Sequence, residues 1–327
     1  IMETLNDYAA VEYFGLSTLT IGIFRSWFGM FDMGSALKLS SFLALFVFII
    51  LAIEKFYRRG ARYNDSQGSS GLQTIDLNKK KQVMVFVFCF IPFFFGFLIP
   101  VARLISWMLR SDVVIHGYNL FGIALNTLFV SFASSISIVL IASLVIFTKN
   151  YYNNDALKKV TGLAILGYSM PGAIIAIGVL KLNGFIDEHI SLIFVGTIGG
   201  LVFSYIVRFL AVAWQPIESS VEKLGANVSQ ASRILNVNSS KSLLYIYLPI
   251  LKKPILIACL IVFIDISKEL PLTLILRPFN FDTLATLTYD LVSQAQFFQS
   301  SVPSLFIILI SMPAILIINQ QVIKGSK

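Results

Sequence analysis

The chain has 327 residues, of which 57% are apolar and 13% charged, and its mean hydropathy is +0.82. That balance excludes a soluble globular domain and places the sequence among multi-span membrane proteins. The net charge of +8 fits Lys and Arg gathered on one side of a bilayer and calls for no nucleic-acid partner. The two cysteines, Cys89 and Cys259, fall in separate apolar runs, so we expect inert packing thiols and no disulfide framework.

Taken in order, residues 1–35 are amphipathic and aromatic, with no run long or apolar enough to cross a membrane. The first expected span is Ala36–Ile53, with Lys38 able to snorkel. Glu54 to Gln82, which includes the linker at 58–82, is the most polar stretch, carrying Lys55, Arg58, Arg59, Arg62 and Lys79 to Lys81 around a Ser/Gly-rich middle. It reads as a flexible basic linker. Six further spans are expected at 83–109, 126–147, 160–180, 190–214, 254–276 and 302–319, giving about seven in an all-α polytopic bundle. Pro92 and Pro100 lie inside the second, and the third is rich in Ser and Ala, which suits close helix packing.

Loop charge alternates along this series. The linker, the loop at 148–159, the polar stretch at 215–253 and the tail hold most of the Lys and Arg, whereas the loops between them carry Arg110, Lys181 and Arg277 singly. The rule that basic loops stay inside then puts the linker, the central polar stretch and the C-terminus in the cytoplasm, and residues 1–35 outside.

The pattern Phe14-x-x-x-Thr18-Leu19 recurs as Phe279-x-x-x-Thr283-Leu284, an offset of 265 residues. It suggests a duplicated module. On that reading residues 1–57 close a first module, the chain begins partway through it, and residues 83–327 form a complete second one.

Residues 228–249 interrupt the apolar runs. Two short helical patterns, Val228 to Leu235 and Leu243 to Leu248, flank an Asn/Ser-rich turn in which Ser239 or Ser240 is expected to cap the second helix. We expect this hairpin to lie beside the membrane. Its residues resemble the cytoplasmic loop of ABC transporter permeases, E-A-A, three residues, Gly, nine residues, I-x-L-P. Gln230, Ala231 and Ser232 stand at the E-A-A position, Asn236 at the Gly position, and Ile246, Leu248 and Pro249 close the pattern. Gln replaces Glu and Asn replaces Gly; Asn tolerates the left-handed turn better than other residues with side chains. The stretches at 166–180, 205–214 and 265–291, with residues 3–29, are similar to the ferric-iron branch of these importers. The resemblance implies a type I importer permease of the bacterial inner membrane. It implies docking of an ABC ATPase subunit on the 230–249 loop, and delivery of ferric iron by a periplasmic binding protein. Thiamine or another small solute is the alternative cargo; an ion-gradient-driven secondary transporter and a non-transporting membrane scaffold are the alternative classes.

Ionisable residues inside spans are the candidates for transport chemistry, since each costs at least ~2.5 kcal/mol there. Asp265 and Glu269 would share a helix face in the sixth of the expected spans, as carboxylates suited to a hard cation lining a translocation path. The alternative is that they pair with Lys268, Arg208 or Arg103 and hold the bundle together. Pro271 is expected to break this helix. His116 and His189 have no metal-site spacing, no metal site is assigned, and Asp282 and Asp290 sit in an outer loop, either solvated or facing the binding protein. The sequence holds no G-x-x-x-x-G-K-[ST] run and no nucleophile–base set, so no catalysis and no resident cofactor are expected.

Overall fold

The computed structural model describes residues 8–58, 77–110, 118–152, 161–162, 165–190, 194–234 and 237–325. Those residues are helical, with short connections. The elements are α1 (Ala9–Tyr13), α2 (Leu19–Phe24, prolonged by a wide turn at Arg25–Gly29), α3 (Met33–Arg58), α4 (Lys79–Met108), α5 (Leu120–Tyr152), α6 (Gly172–Ile190), α7 (Ile198–Ile234), α8 (Ser239–Ser267), α9 (Pro271–Leu276), α10 (Leu284–Ser293) and α11 (Phe297–Gly325). Among the described residues, α3, α4, α5, α7, α8 and α11 are long and apolar enough to span a bilayer.

The expected span at 160–180 is not one of them. A 3-10 turn at Ile165–Ser169 precedes α6, which starts at Gly172. Pro171 disfavours helix at the residue before it, and α6 then runs into Lys181, Asp187 and Glu188. Other boundaries move as well. Nothing between Trp214 and Ile234 stops α7, so it runs for 37 residues, or roughly 55 Å, well beyond a hydrocarbon core. Similarly, α8 starts at Ser239 instead of Pro254, because a π turn at Leu243–Tyr247 absorbs the backbone bond that Pro249 cannot make. The same device, Phe94–Leu98, sits between Pro92 and Pro100 in α4.

The core lies where α5, α7 and α8 pack together, around Ile138, Ala142 and Ile146 from α5, Tyr205, Ala213 and Trp214 from α7, and Ala258 and Val262 from α8. Small residues allow the approach: Ser131, Ser134 and Ser135 are buried on α5, and Cys259 reaches the Ser135 hydroxyl at 3.6 Å. The lower part of α4 is exposed on all sides, and so is Cys89, which was expected to be buried. An apolar helix unburied within its own chain faces lipid or another subunit.

The sequence echo has a backbone counterpart. Gly15 and Asn280 both take positive φ, +68° and +59°. Three residues later Thr18 and Thr283 are extended N-caps with the same ψ of 165°, and each side chain accepts a bond from the amide three residues on. A long apolar helix, α3 or α11, follows each. Asp32 caps α3 by accepting from the Ser35 amide at 3.1 Å and the Ser35 hydroxyl at 2.5 Å; these bonds, the hydroxyl first, hold its carboxyl below the usual range.

Candidate functional site

The end of α8 is the polar centre of the molecule. The helix stops at Ser267, Lys268 forms its C-cap, and the chain turns through Glu269 and Leu270 before Pro271 opens α9. Glu269 is therefore in the break and not one turn above Asp265 on a continuous helix. The expected shared face does not form. Asp265 is held by Lys268 at 3.1 Å and keeps 19% side-chain exposure. Glu269 turns inward, where its Oε1 accepts from Arg208 Nη1 at 2.5 Å and from the Leu272 amide at 3.2 Å. Both members of this pair are buried, at 6% side-chain exposure. Just beside it, the Tyr205 and Thr273 hydroxyls meet at 2.7 Å, and Thr273 donates to the Glu269 carbonyl.

Two glycines make room for this arrangement. A Cβ on Gly167 would lie 2.0 Å from the Val207 carbonyl oxygen, and one on Gly172 would lie 1.9 Å from Arg208 Nη1. The 3-10 turn can press against α7 next to Arg208 only because both lack side chains. Arg103 does not join the network; its guanidinium stands over the Trp107 ring of its own helix at 5.0 Å.

The permease-like loop is split between two spanning helices and is not a separate hairpin. Gln230, Ala231 and Ser232 occupy the last turns of α7, with Ser232 buried; Asn236 lies outside the described residues. Asn238, not Ser239 or Ser240, occupies the N-cap position of α8. Beyond it, Ile246 and Leu248 are partly buried, Tyr247 is buried against Phe147, and Pro249 is exposed. Leu244 and Tyr245 project outward at 56% and 76% exposure. Nearby, Glu218 binds both Lys149 and the Trp214 indole, tying α5 to α7.

At the opposite end of α8 the N-terminal segment closes over α9 and α10. The Tyr8 and Tyr289 hydroxyls lie 2.7 Å apart, and Tyr8 stacks on Phe24 at 3.9 Å. The Glu12 carboxylate interacts with both phenols. Burial first, then these neighbours, pushes Tyr8 up; burial also pushes Tyr289 up to about 12. Asp282 and Asp290 stay partly exposed, and both are held by Arg277, Asp290 at 3.5 Å. Burial raises the Asp290 carboxyl against the opposing pull of Arg277. Cavities of about 550 and 380 Å³ flank the seam, and Glu12 and Tyr289 line both. His189 bonds the Phe185 carbonyl within its own helix, and His116 lies outside the described residues. Among the described residues no group of three His, Cys, Asp or Glu side chains converges. Sequence reading missed the Tyr8–Tyr289–Glu12 cluster, since its members are 281 residues apart at the extremes and no local spacing signals them.

No protein-family profile matches the chain. It is 22% identical over 315 residues to the Fe(3+)-transport system permease protein FbpB 2 of Haemophilus influenzae. That alignment takes in 95% of this chain and 62% of the relative's length. A chain of the bacterial alginate ABC transporter in complex with its pentasaccharide-bound periplasmic protein superposes with a TM-score of 0.59 at 16% identity, over 76% of this chain and 94% of that one. A second structure, of a bacterial ABC transporter involved in alginate import, gives 0.50 at 13% identity over 76% and 98%. The protein is an all-α polytopic membrane bundle that resembles the ferric-iron ABC permeases and has the fold of an ABC transporter permease.

Proposed function

We propose that this chain is the transmembrane permease of an ATP-driven importer that carries ferric iron into the cytoplasm. The observation that carries the reading is similarity over 95% of the chain to an Fe(3+)-transport permease. The fold shared with an ABC transporter crystallised with its periplasmic protein supports the class. On this reading a binding protein delivers cargo outside, an ABC ATPase docks at Gln230 to Pro249, and ATP hydrolysis takes place in that separate subunit. The exposed Leu244 and Tyr245 give the docking partner an apolar contact. The C-terminus is cytoplasmic, by loop charge, a placement in which the 19 residues of α6 carry the crossing between α5 and α7. Residues 1–57 close a first module, a reading supported by the matched caps at Thr18 and Thr283. Asp265, partly exposed at the head of α8, lines the path; Glu269 lines it only if the pair with Arg208 opens.

The test is reconstitution in liposomes with the ATPase and the binding protein, scored by uptake of radioactive ferric iron. Uptake that stops without ATP supports the reading. ATP hydrolysis stimulated by the binding protein without iron movement keeps the transporter class and rejects the cargo. Uptake that persists without ATP rejects the class.

A further inference from the structure

The seam between the N-terminal segment and α10 gathers three oxygen donors that the buried ion pair does not use: the phenols of Tyr8 and Tyr289 and the carboxylate of Glu12. We propose that these three side chains form a ferric-ion site through which cargo passes on its way to the head of α8. The proposal deepens the ferric-importer reading and rests on it.

The geometry suits a small hard cation. Small hard ions take oxygen ligands in near-octahedral arrangement at about 2.0 Å, which sets neighbouring ligand oxygens about 2.8 Å apart. The two phenol oxygens already stand 2.7 Å apart. Charge closes as well. On binding, each phenol O–H exchanges its proton for an O–Fe bond and both protons leave to water in the cavities, with no change in oxidation state. Two phenolates and one carboxylate then neutralise a trivalent ion. The ion's own field drives that ionisation in a place where burial alone opposes it.

Access and release are both provided. Cavities open on either side of the cluster, and the larger reaches Lys268 and Leu270 at the break above Asp265. Lys268 is held by Asp265, and Arg277 by Asp282 and Asp290, so these cations are balanced; Arg25 lies exposed at the rim of the smaller cavity. Three protein donors leave the remaining coordination positions to water. A carrier site needs this partial grip, because cargo must leave as well as enter.

The test uses the purified transporter in lipid nanodiscs, titrated with ferric nitrilotriacetate. The expected result is a visible phenolate-to-iron charge-transfer band that saturates at one iron per chain. Tyr8→Phe and Tyr289→Phe keep the rings, and with them the stack on Phe24, but should remove or weaken the band and lower affinity at least on the order of tenfold. Glu12→Gln should keep the band while lowering affinity on a similar scale. A wild-type protein without the band overturns the proposal, as does a band that survives in the Tyr8→Phe/Tyr289→Phe double variant. Should both Phe variants fail to fold, unchanged affinity in Glu12→Gln overturns it instead. ATP-dependent iron uptake without the band rejects this site and spares the proposed function; the band without uptake of iron does the reverse.

Discussion

Replacing Glu269 by Gln tests whether the break after α8 is held by charge. The substitution keeps shape and one acceptor oxygen but leaves the Arg208 guanidinium buried without a counter-ion. At 2.5 Å and an effective dielectric of 20 the lost attraction is roughly 6–7 kcal/mol. Part of that offsets the cost of having buried the carboxylate, so the net loss falls to about 3–5 kcal/mol, the range for breaking a buried pair from one side. The bond from the Leu272 amide survives in weakened form, since a neutral oxygen accepts less strongly than a carboxylate. Thermal unfolding of the purified protein in detergent should shift down by on the order of 5–10 °C. The double variant Arg208→Met/Glu269→Gln removes both charges and should recover most of the loss. A single variant as stable as the parent would refute the idea that this pair fastens α7 to the α8–α9 break. A double variant no better than the single would place the cost in packing instead.

Other outcomes follow from the same contacts. Gly167→Ala drives a Cβ against a backbone carbonyl that cannot swing away, so folded protein recovered by size-exclusion chromatography should fall sharply, and more than for Gly178→Ala, where space is open. Tyr205→Phe removes a buried hydroxyl bond to Thr273 and should cost about 1 kcal/mol in denaturant unfolding. Glu218→Gln loosens a partly exposed tie between α5 and α7, for which a double-mutant cycle with Lys149→Met should give a coupling no larger than about 1 kcal/mol. Asp265→Asn leaves the buried network intact and should lower iron uptake with little change in unfolding midpoint; unchanged uptake would make its contact with Lys268 a packing feature only.

Much of the fold was legible because spanning helices announce themselves by length and apolarity. The spans expected at 36–53 and 126–147 fall within α3 and α5, and that at 83–109 ends one residue past α4. Where helix ends depend on tertiary contacts, the sequence misled. Pro249 and Pro254 read as a boundary, yet a π turn carries α8 through the first of them. Polar residues after Trp214 read as a loop, yet Ile217 and Val221 continue the buried face of α7. The stretch before Pro171 read as membrane-spanning because it is apolar, but its Gly167 serves close contact with α7 and not helix continuation. For the site, Asp265, Glu269, Lys268 and Arg208 were identifiable as charges in apolar surroundings. Which carboxylate takes which cation depended on where α8 stops, and that is fixed by the turn at Glu269 and not by any local spacing.

The repeated element sharpens what the seam is for. Under the 265-residue offset Tyr289 corresponds to Phe24, and both rings touch Tyr8. The two copies thus present equivalent aromatic surfaces to the same partner, but only one adds a hydroxyl. If the seam were a hydrophobic clasp alone, a second Phe at position 289 would serve as well, without a half-buried phenol in need of partners. The hydroxyl appears where it meets Tyr8 and Glu12 between two cavities, so its cost is met by polar contacts that a clasp does not require. Phe24→Tyr, which adds a hydroxyl on the other copy, should therefore leave ferric-ion affinity unchanged, whereas Tyr289→Phe should lower it. Equal effects of the two substitutions would return the seam to simple packing.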